Sequence, residues 1–427
     1  MKQSGIDWIG EIPDDWKIEK AKHVFRQRFD KGNELTLQLL SPTQKFGVIP
    51  QTLYEELTTY SAVKLKEGTD LSTFKTVHKG DFCISLRSFQ GGFEYSRYEG
   101  VVSPAYQIFY AIKKIDDEYY KYLFKDQTFI AKMNSYTMSL RDGKNIAFSD
   151  FGDTFIPLPP KATQQRIAEY LDSKCAQIDS IIEESKKSIE EYKAWKQSVI
   201  FEAVTGKNLN CKKKDSGIEW IGEIPEGWEV KRFKFVATSL EKGAGITKEE
   251  VFEDGDTPCV RYGEIYSKYN QSFSNCISKT FNSKIPVQKY FTNGDILFVG
   301  TGELVEEIGK CIAYLGNENC LAGGDIIIAK HKQNPSFLSY AMNSSYAQNQ
   351  KSRNKAKLKV VHISATEIGD VQIFLPPIHE QEAIAKMLDS KCAQIDSLIA
   401  EKESLIADLT EYKKSLIFEV VTGKRSV

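Results

Sequence analysis

The strongest constraint on this chain is an internal duplication. Ser4-Gly5-Ile6-Asp7-Trp8-Ile9-Gly10-Glu11-Ile12-Pro13 returns as Ser216-Gly217-Ile218-Glu219-Trp220-Ile221-Gly222-Glu223-Ile224-Pro225, with Trp16 answered by Trp228. A longer pair opens at Leu158-Pro159-Pro160 and Leu375-Pro376-Pro377 and closes at Thr205-Gly206-Lys207 and Thr422-Gly423-Lys424. Inside it, Leu171 through Ser180 matches Leu388 through Ser397 without a difference. The regions between the matched blocks barely resemble each other. Such a chain is expected to fold as two dissimilar modules, each followed by the same element, with a built-in pseudo-two-fold suited to a bipartite asymmetric target.

The repeated element reads as a helix. From about Thr163 to Val204 there is no Gly or Pro, and Gly206 and Gly423 stand where a helix C′ glycine belongs. Written in heptads, position a holds Cys175, Ile182, Ile189, Lys196 and Ala203, and position d holds Leu171, Ile178, Ser185, Tyr192 and Val199. The copy places Cys392, Ile399, Ile406, Lys413 and Val420 at a, and Leu388, Ile395, Lys402, Leu409 and Leu416 at d. A mostly apolar a/d pattern over about five heptads predicts a coiled-coil seam. A helix of roughly 40 residues spans about 60 Å, the dimensions of a spacer. Lys196 and Lys413, polar at the same a position, predict a register device; the alternative is that each helix packs only on its own module. Antiparallel pairing would match the pseudo-dyad of the chain to that of a DNA duplex, whose half-sites lie roughly 34 Å apart in dimeric readers. Ile167, Tyr170, Trp195 and Phe201, with counterparts Ile384, Met387, Tyr412 and Phe418, predict a second apolar stripe facing the modules or a partner.

The modules read as α+β folds with twisted sheets. Lys79-Gly80-Asp81 is a turn leading into Phe82, Ile84 and Leu86 on alternate positions, and Asn293-Gly294-Asp295 leads into Ile296–Val299. Val101–Ile112 and Asp325–Ala329 are expected strands. The chain's 427 residues exceed one ordinary core. The expected division is a recognition module at 1–157, a helix at 158–210, a second module at 211–374 and a second helix at 375–427. No run approaches the roughly 20 apolar residues of a membrane helix. Met1-Lys2-Gln3-Ser4 lacks the apolar core of a secretory signal, so a cytoplasmic address is expected. The eight cysteines form no C-x-x-C pair, and Cys175 and Cys392 read as small core residues. A net charge of −1 excludes a strongly basic, independently tight nucleic-acid binder; any DNA affinity must come from local patches or from partners.

No catalytic constellation is present in the sequence. Asn334-Pro335-Ser336-Phe337 lacks the second proline of an adenine methyltransferase pocket. Gly300-Thr301-Gly302 with Gly309-Lys310 has the wrong spacing for a phosphate loop, and Cys311 stands where the metal-binding hydroxyl should be. Lys310 remains a DNA-contact candidate. His23, His78, His331, His362 and His379 show no ligand spacing. Lys45-Phe46-Gly47 occupies the same relative place in module one as Arg261-Tyr262-Gly263 in module two, a basic group beside an aromatic. Arg87, Gln90 and Arg97 carry the side chains suited to bidentate contacts with guanine and adenine. Arg141, Lys144 and Asn145 precede the first L-P-P block. Lys351, Arg353, Lys355, Lys357 and Lys359 precede the second, with no acid from Gln350 through His362; these runs are the expected phosphate contacts.

The W-I-G-E-I-P-x-x-W opening, the Gly-Asp turn, the L-P-P-x-x-x-Q block and the L-D-x-x-x-x-x-I-D helix ending in V-T-G-K, all in duplicate, resemble the DNA specificity subunit of type I restriction-modification systems. Departures are small: Gln164-Gln165 stands against Gln381-Glu382, and Phe82-Cys83 replaces an aliphatic pair. The resemblance implies two target-recognition domains joined by two long helices in an antiparallel coiled coil. It also implies a non-catalytic reader of a split sequence in double-stranded DNA. The implied partners are two methyltransferase subunits, which modify adenines on opposite strands, and ATP-dependent restriction/translocase subunits. This chain is then expected to need no cofactor, with S-adenosylmethionine, ATP and Mg²⁺ on the partners, and no membrane. A specificity subunit serving a standalone methyltransferase, distinguished by the absence of a neighbouring helicase-nuclease gene, and a coiled-coil scaffold indifferent to DNA are the rival readings. The seam and partner candidates are Leu171, Ile178, Ile182, Ile189, Tyr192, Trp195 and Val199 on the first helix. On the second they are Leu388, Ile395, Ile399, Ile406, Leu409 and Leu416.

Overall fold

Two glycine–aspartate turns start the central strands. Gly80 and Gly294 hold φ of 94° and 90°, the left-handed region that glycine enters without a Cβ penalty. The next residue closes each turn: Asp81 accepts the His78 N–H at 2.9 Å, and Asp295 accepts that of Thr292 at 2.8 Å. The computed structural model describes residues 1–32, 38–58, 60, 69, 71–84, 93–136, 146–353, 355 and 360–427. They form two compact units, Met1–Lys186 with Glu403–Val427, and Lys187–Lys402. Packing therefore divides the chain inside both long helices, whereas the sequence placed its boundaries at 157/158 and 374/375. The reason is that each module's core takes in segments of both helices.

In unit one an antiparallel sheet runs in the order Phe25–Arg28, Gln107–Ala111, Phe82–Ile84, Phe93–Tyr95. One face carries a dense aromatic cluster, with ring centroids 4.8 Å apart for Phe109–Phe151 and 5.1 Å for Phe82–Phe124. The other face packs Cys83 with Leu40, Val48, Val77, Val102 and Ile108. Both faces are covered, so Cys83 is as buried as Phe82 and Ile84. The expected strand Val101–Ile112 is instead two strands, Gly100–Val102 and Gln107–Ala111, in separate sheets. Pro104, between them, has no N–H to give to a ladder.

Among its described residues unit two has two larger sheets besides its two-stranded pairs. The larger runs Ala237–Lys242, Ile326–His331, Ile296–Val299, Cys311–Tyr314, Ser272–Phe273. The smaller runs Ser278–Thr280, Thr257–Val260, Cys320–Ala322, Tyr290–Phe291. Strand Ile296–Val299 is buried throughout: Ile296 and Phe298 enter one apolar cluster, Leu297 and Val299 another.

The long helices run Lys161–Thr205 and Ile378–Val421. In unit one Leu171, Cys175, Ile178 and Ile182 join the same core as Leu416, Val420 and Val421. In unit two Ile200, Ala203 and Val204 share a core with Ile384, Leu388 and Cys392. The segments pair antiparallel, and each unit has one ionic rung. The Lys413 ammonium donates to both Asp179 oxygens at 2.7 and 2.6 Å in unit one. Lys196 donates to both Asp396 oxygens at 2.7 Å in unit two. Helix pairing and packing on the modules thus occur together, through the two edges of the same apolar stripe.

The remaining duplicated residues fasten helix to module. Gln164 accepts the Asp116 N–H at 2.8 Å and donates to the Pro159 carbonyl at 2.8 Å. Gln381 does the same with Asn334 and Pro376, at 3.0 and 2.8 Å. Asp172 accepts the Tyr122 hydroxyl at 2.6 Å, and Asp389 that of Tyr340 at 2.9 Å. At the helix C-termini Gly423 and Gly206 adopt φ of 75° and 70°. A Cβ on Gly423 would lie 2.3 Å from Pro13, and one on Gly206 would lie 2.5 Å from Pro225. Lys424 closes the first clasp by donating to the Ile9 carbonyl at 2.6 Å. The repeated W-I-G-E-I-P and V-T-G-K motifs are therefore the two sides of one joint.

Gly423→Ala combines a left-handed φ with a backbone-side clash and should cost about 1–3 kcal/mol, lowering the thermal midpoint by several degrees. Gly227→Ala, with nothing within 4 Å of the added Cβ, should leave it within about a degree. Calorimetry on both variants checks the contrast.

Candidate nucleic-acid interface

The structure sorts the sequence candidates by whether their charge is free. Lys45 is exposed in the turn after strand Leu40–Thr43, its ammonium 5.0 Å above the Phe46 ring. Arg97 grips Glu118 with two parallel bonds of 3.0 and 2.8 Å, which raises its guanidinium pKa further and occupies the fork that would read a base. Arg261 is held the same way by Glu264, at 3.3 and 2.9 Å. Glu264 is itself buried and also accepts the Ser278 hydroxyl at 2.5 Å. Lys310 is half-buried, and its ammonium donates to the Tyr266 carbonyl at 3.3 Å; burial lowers its pKa. Arg87, Gln90, Arg141, Lys144, Asn145, Lys357 and Lys359 lie outside the described residues.

The expected phosphate run before the second L-P-P block is corrected most. Lys351 is 2% exposed and donates to the Gly309 carbonyl at 2.7 Å. Burial pushes its pKa down to about 8, so it braces a loop and is out of reach of a phosphate. Lys355 is tied to Glu367 and donates to the His362 carbonyl at 2.8 Å. Arg353 is exposed and lines a cleft with Trp220, Tyr346 and Asn349. Among its described residues the run of like charge is thus divided by the fold into two braces, Lys351 and Lys355, and the open Arg353. Asn334, in the motif dismissed as a methyltransferase pocket, caps helix Pro335–Asn343 by accepting the Phe337 N–H at 2.9 Å.

Topology builds a surface around Arg261-Tyr262-Gly263, most of whose other residues the sequence did not single out. Strands Thr257–Val260 and Cys320–Ala322 run parallel, with Cys259 opposite Leu321 and Val260 opposite Ala322. Both chains leave the sheet at the same edge, as Arg261-Tyr262 and Gly323-Gly324. With Ile246–Lys248, Lys268 and Ile277-Ser278 they line a cleft of about 650 Å³. Unit one has the related arrangement: Leu39 bridges Val101 in parallel, and the turn carrying Lys45 and Phe46 follows the Leu40–Thr43 strand. The sequence had singled out Arg261-Tyr262-Gly263 and its counterpart Lys45-Phe46-Gly47, but not the glycines and lysines that the paired strands bring beside Tyr262.

On the helices, Leu171, Ile178, Ile182, Ile189, Leu388, Ile395 and Leu416 are buried. Tyr192, Val199, Ile399, Ile406 and Leu409 are half-buried along the same seam. Trp195 is 50% exposed and its counterpart Tyr412 48% exposed; both sit next in sequence to the seam lysines Lys196 and Lys413 and outside the seam, as expected of the second stripe. Ile167 and Ile384 go into the module cores, and Phe201 stacks on Trp220 with ring planes 12° apart. No helix among the described residues is long and apolar enough to cross a membrane.

A family model for the type I restriction modification DNA specificity domain matches residues 13–191 and again 225–406. The chain is 24% identical over 430 residues to the type I restriction enzyme MjaVIII specificity subunit of Methanocaldococcus jannaschii, covering 97% of this chain and 93% of that one. It is 23% identical over 289 residues to the EcoKI specificity subunit of Escherichia coli K12, covering 66% and 60%. Among solved structures, a chain from work on assembly and conformational transition of the type I R-M system superposes with a TM-score of 0.74 at 15% identity, covering 97% and 100%. The HsdS subunit from Thermoanaerobacter tengcongensis gives 0.57 at 17% identity, with 100% of both chains covered. At these identities the structural likeness shows the fold.

A lysine whose folded pKa lies near 8 against an ordinary 10.5 costs stability while charged. That cost is complete below pH 8 and fades as pH rises toward 10.5. The wild-type protein should therefore gain stability relative to Lys351→Met between pH 8 and 10, read by chemical denaturation, while DNA affinity and its salt slope stay unchanged.

Proposed function

Because the chain belongs to the type I restriction-modification DNA specificity family, we propose that it reads a split, asymmetric sequence in double-stranded DNA, one module per half. In this reading the helix pair fixes the gap between the halves and seats two copies of a methyltransferase and the ATP-dependent restriction subunits. The chain supplies recognition; S-adenosylmethionine, ATP and Mg²⁺ belong to the partners.

One observation carries the scaffold role. In the stretch that is identical between the copies, the seam needs Leu171, Cys175 and Ile178, yet the identity extends to residues that touch neither seam nor module. Ser173, Lys174, Ala176, Gln177 and Ser180 are exposed, and so are Ser390, Lys391, Ala393, Gln394 and Ser397. Solvent alone does not hold five exposed positions to the same residues when the modules beside them differ throughout. Two seats for the same partner do. Ser173, Ala176, Gln177 and Ser180 fall at i, i+3, i+4 and i+7, one helical face; the short Ser173, Ala176 and Ser180 admit a partner helix closely, and Gln177 offers it an amide. The net charge of −1 supports the division of labour, since partner cations then add the phosphate contacts this chain lacks.

Arg is a good helix former and both alanines are exposed, so Ala176→Arg and Ala393→Arg should fold normally. Native mass spectrometry of the chain co-expressed with its methyltransferase should show two bound copies in the parent, one in either single variant and none in the double. Two copies retained in the double variant would remove this face as the seat. Duplex binding by the parent complex should fall steeply with salt; a complex indifferent to DNA would defeat the recognition role itself.

A further inference from the structure

The cleft at the carboxyl ends of the parallel strands in unit two has the composition of a DNA-reading site. Open α/β sheets place ligands outside the carboxyl ends of parallel strands, where loops from neighbouring strands diverge. Here those loops bring three features together. The first is an aromatic side chain at the rim: Tyr262 is 42% exposed although it begins helix Tyr262–Ser267.

The second is free positive charge. Lys248 and Lys268 line the cleft and are exposed, and neither has an acidic partner within ion-pair distance among the described residues. Two carboxylates line the cleft with them, Glu264 and Asp325; Glu264 is buried and committed to Arg261 and Ser278. In unit two Lys351 and Lys355 are spent on internal partners, whereas Lys248 and Lys268 face the cleft with their charge free.

The third is open backbone. A Cβ built on Gly245 or Gly263 would meet nothing within 4 Å, so no internal packing requires glycine there. Neither position has a left-handed φ. Backbone left bare without a fold-derived reason is what close approach by a ligand needs.

We propose that this cleft is where module two reads its half of the DNA target. Tyr262 meets base edges, and Lys248 and Lys268 contact the phosphates on either side. The inference rests on the recognition role proposed above and names the surface within it.

The test uses the full complex with its methyltransferase, mapping methylated adenines genome-wide and measuring duplex binding against salt. Lys248→Ala and Lys268→Ala should each weaken binding to all sequences alike and reduce the slope of log affinity on log salt by about 0.9. Tyr262→Ala should relax recognition at one position, in only one half of the split motif, by about tenfold or more. Gly263→Glu should abolish specific binding with the thermal midpoint unchanged. Wild-type motif and salt slope in all four variants would overturn the proposal, as would Tyr262→Ala weakening specific and non-specific binding equally. If the parent complex gives no split motif, the broader recognition role fails first, and the two failures are distinguishable.

Discussion

A two-helix seam with one lysine–aspartate rung in each unit is the interaction on which the rest of the structure depends. The rung is not its main source of stability. Lys413 and Asp179 are 28% and 56% exposed, and Lys196 and Asp396 are 23% and 48% exposed; such pairs contribute about 0.2–1 kcal/mol. Leu171, Leu388 and Leu416 are at most 1% exposed, and burial of each stabilises by about 1.5–3 kcal/mol. The apolar heptads drive pairing, and the lysine selects among the registers they would allow. Sliding by a heptad would leave a half-buried ammonium without its carboxylate, a penalty that an all-apolar seam does not impose.

The frame built on that seam is repeated down to individual atoms. Gln164 and Gln381 bridge the same kinds of backbone group, Asp172 and Asp389 each accept a tyrosine hydroxyl from their own module, and Gly206 and Gly423 each meet the proline of their own W-I-G-E-I-P motif. Within the modules the shared features are the glycine–aspartate turn, the general course of the central strands, and the strand pair at each module's ends, Lys17–Lys20 with Phe155–Leu158 and Glu229–Arg232 with Gln372–Leu375. Their larger sheets differ in strand order and size, and the side chains at the equivalent edges differ as well: Lys45 over Phe46 in one, Arg261 locked to Glu264 beside Tyr262 in the other. A constant frame with variable edges is how one assembly can keep its partners while its target changes.

The frame was legible in the sequence because its signals are local and periodic. The helices, their seam residues, the capping glycines and the register lysines follow from heptad spacing and the absence of Gly and Pro. The candidate interface was not, and the reason is physical. A lysine's sequence neighbours do not reveal whether a carboxylate from another element will reach it, so Lys351, Lys355 and Arg97 read as free and are bound. Conversely, Lys248, Lys268 and Tyr262 become a surface only when two strands lie parallel, a pairing with no local signature. The second stripe was legible only as a whole: large apolar side chains on a helix look alike in sequence, yet Ile167 enters a module core while Trp195 stays exposed.

The central claim is that two independent readers share one repeated frame. Its most direct measurement is the adenine methylation motif left by the complex before and after residues 1–157 are exchanged for another recognition module. The account requires a split motif in which one half changes while the other half and the gap stay the same. A change in both halves, or in the gap, would contradict it.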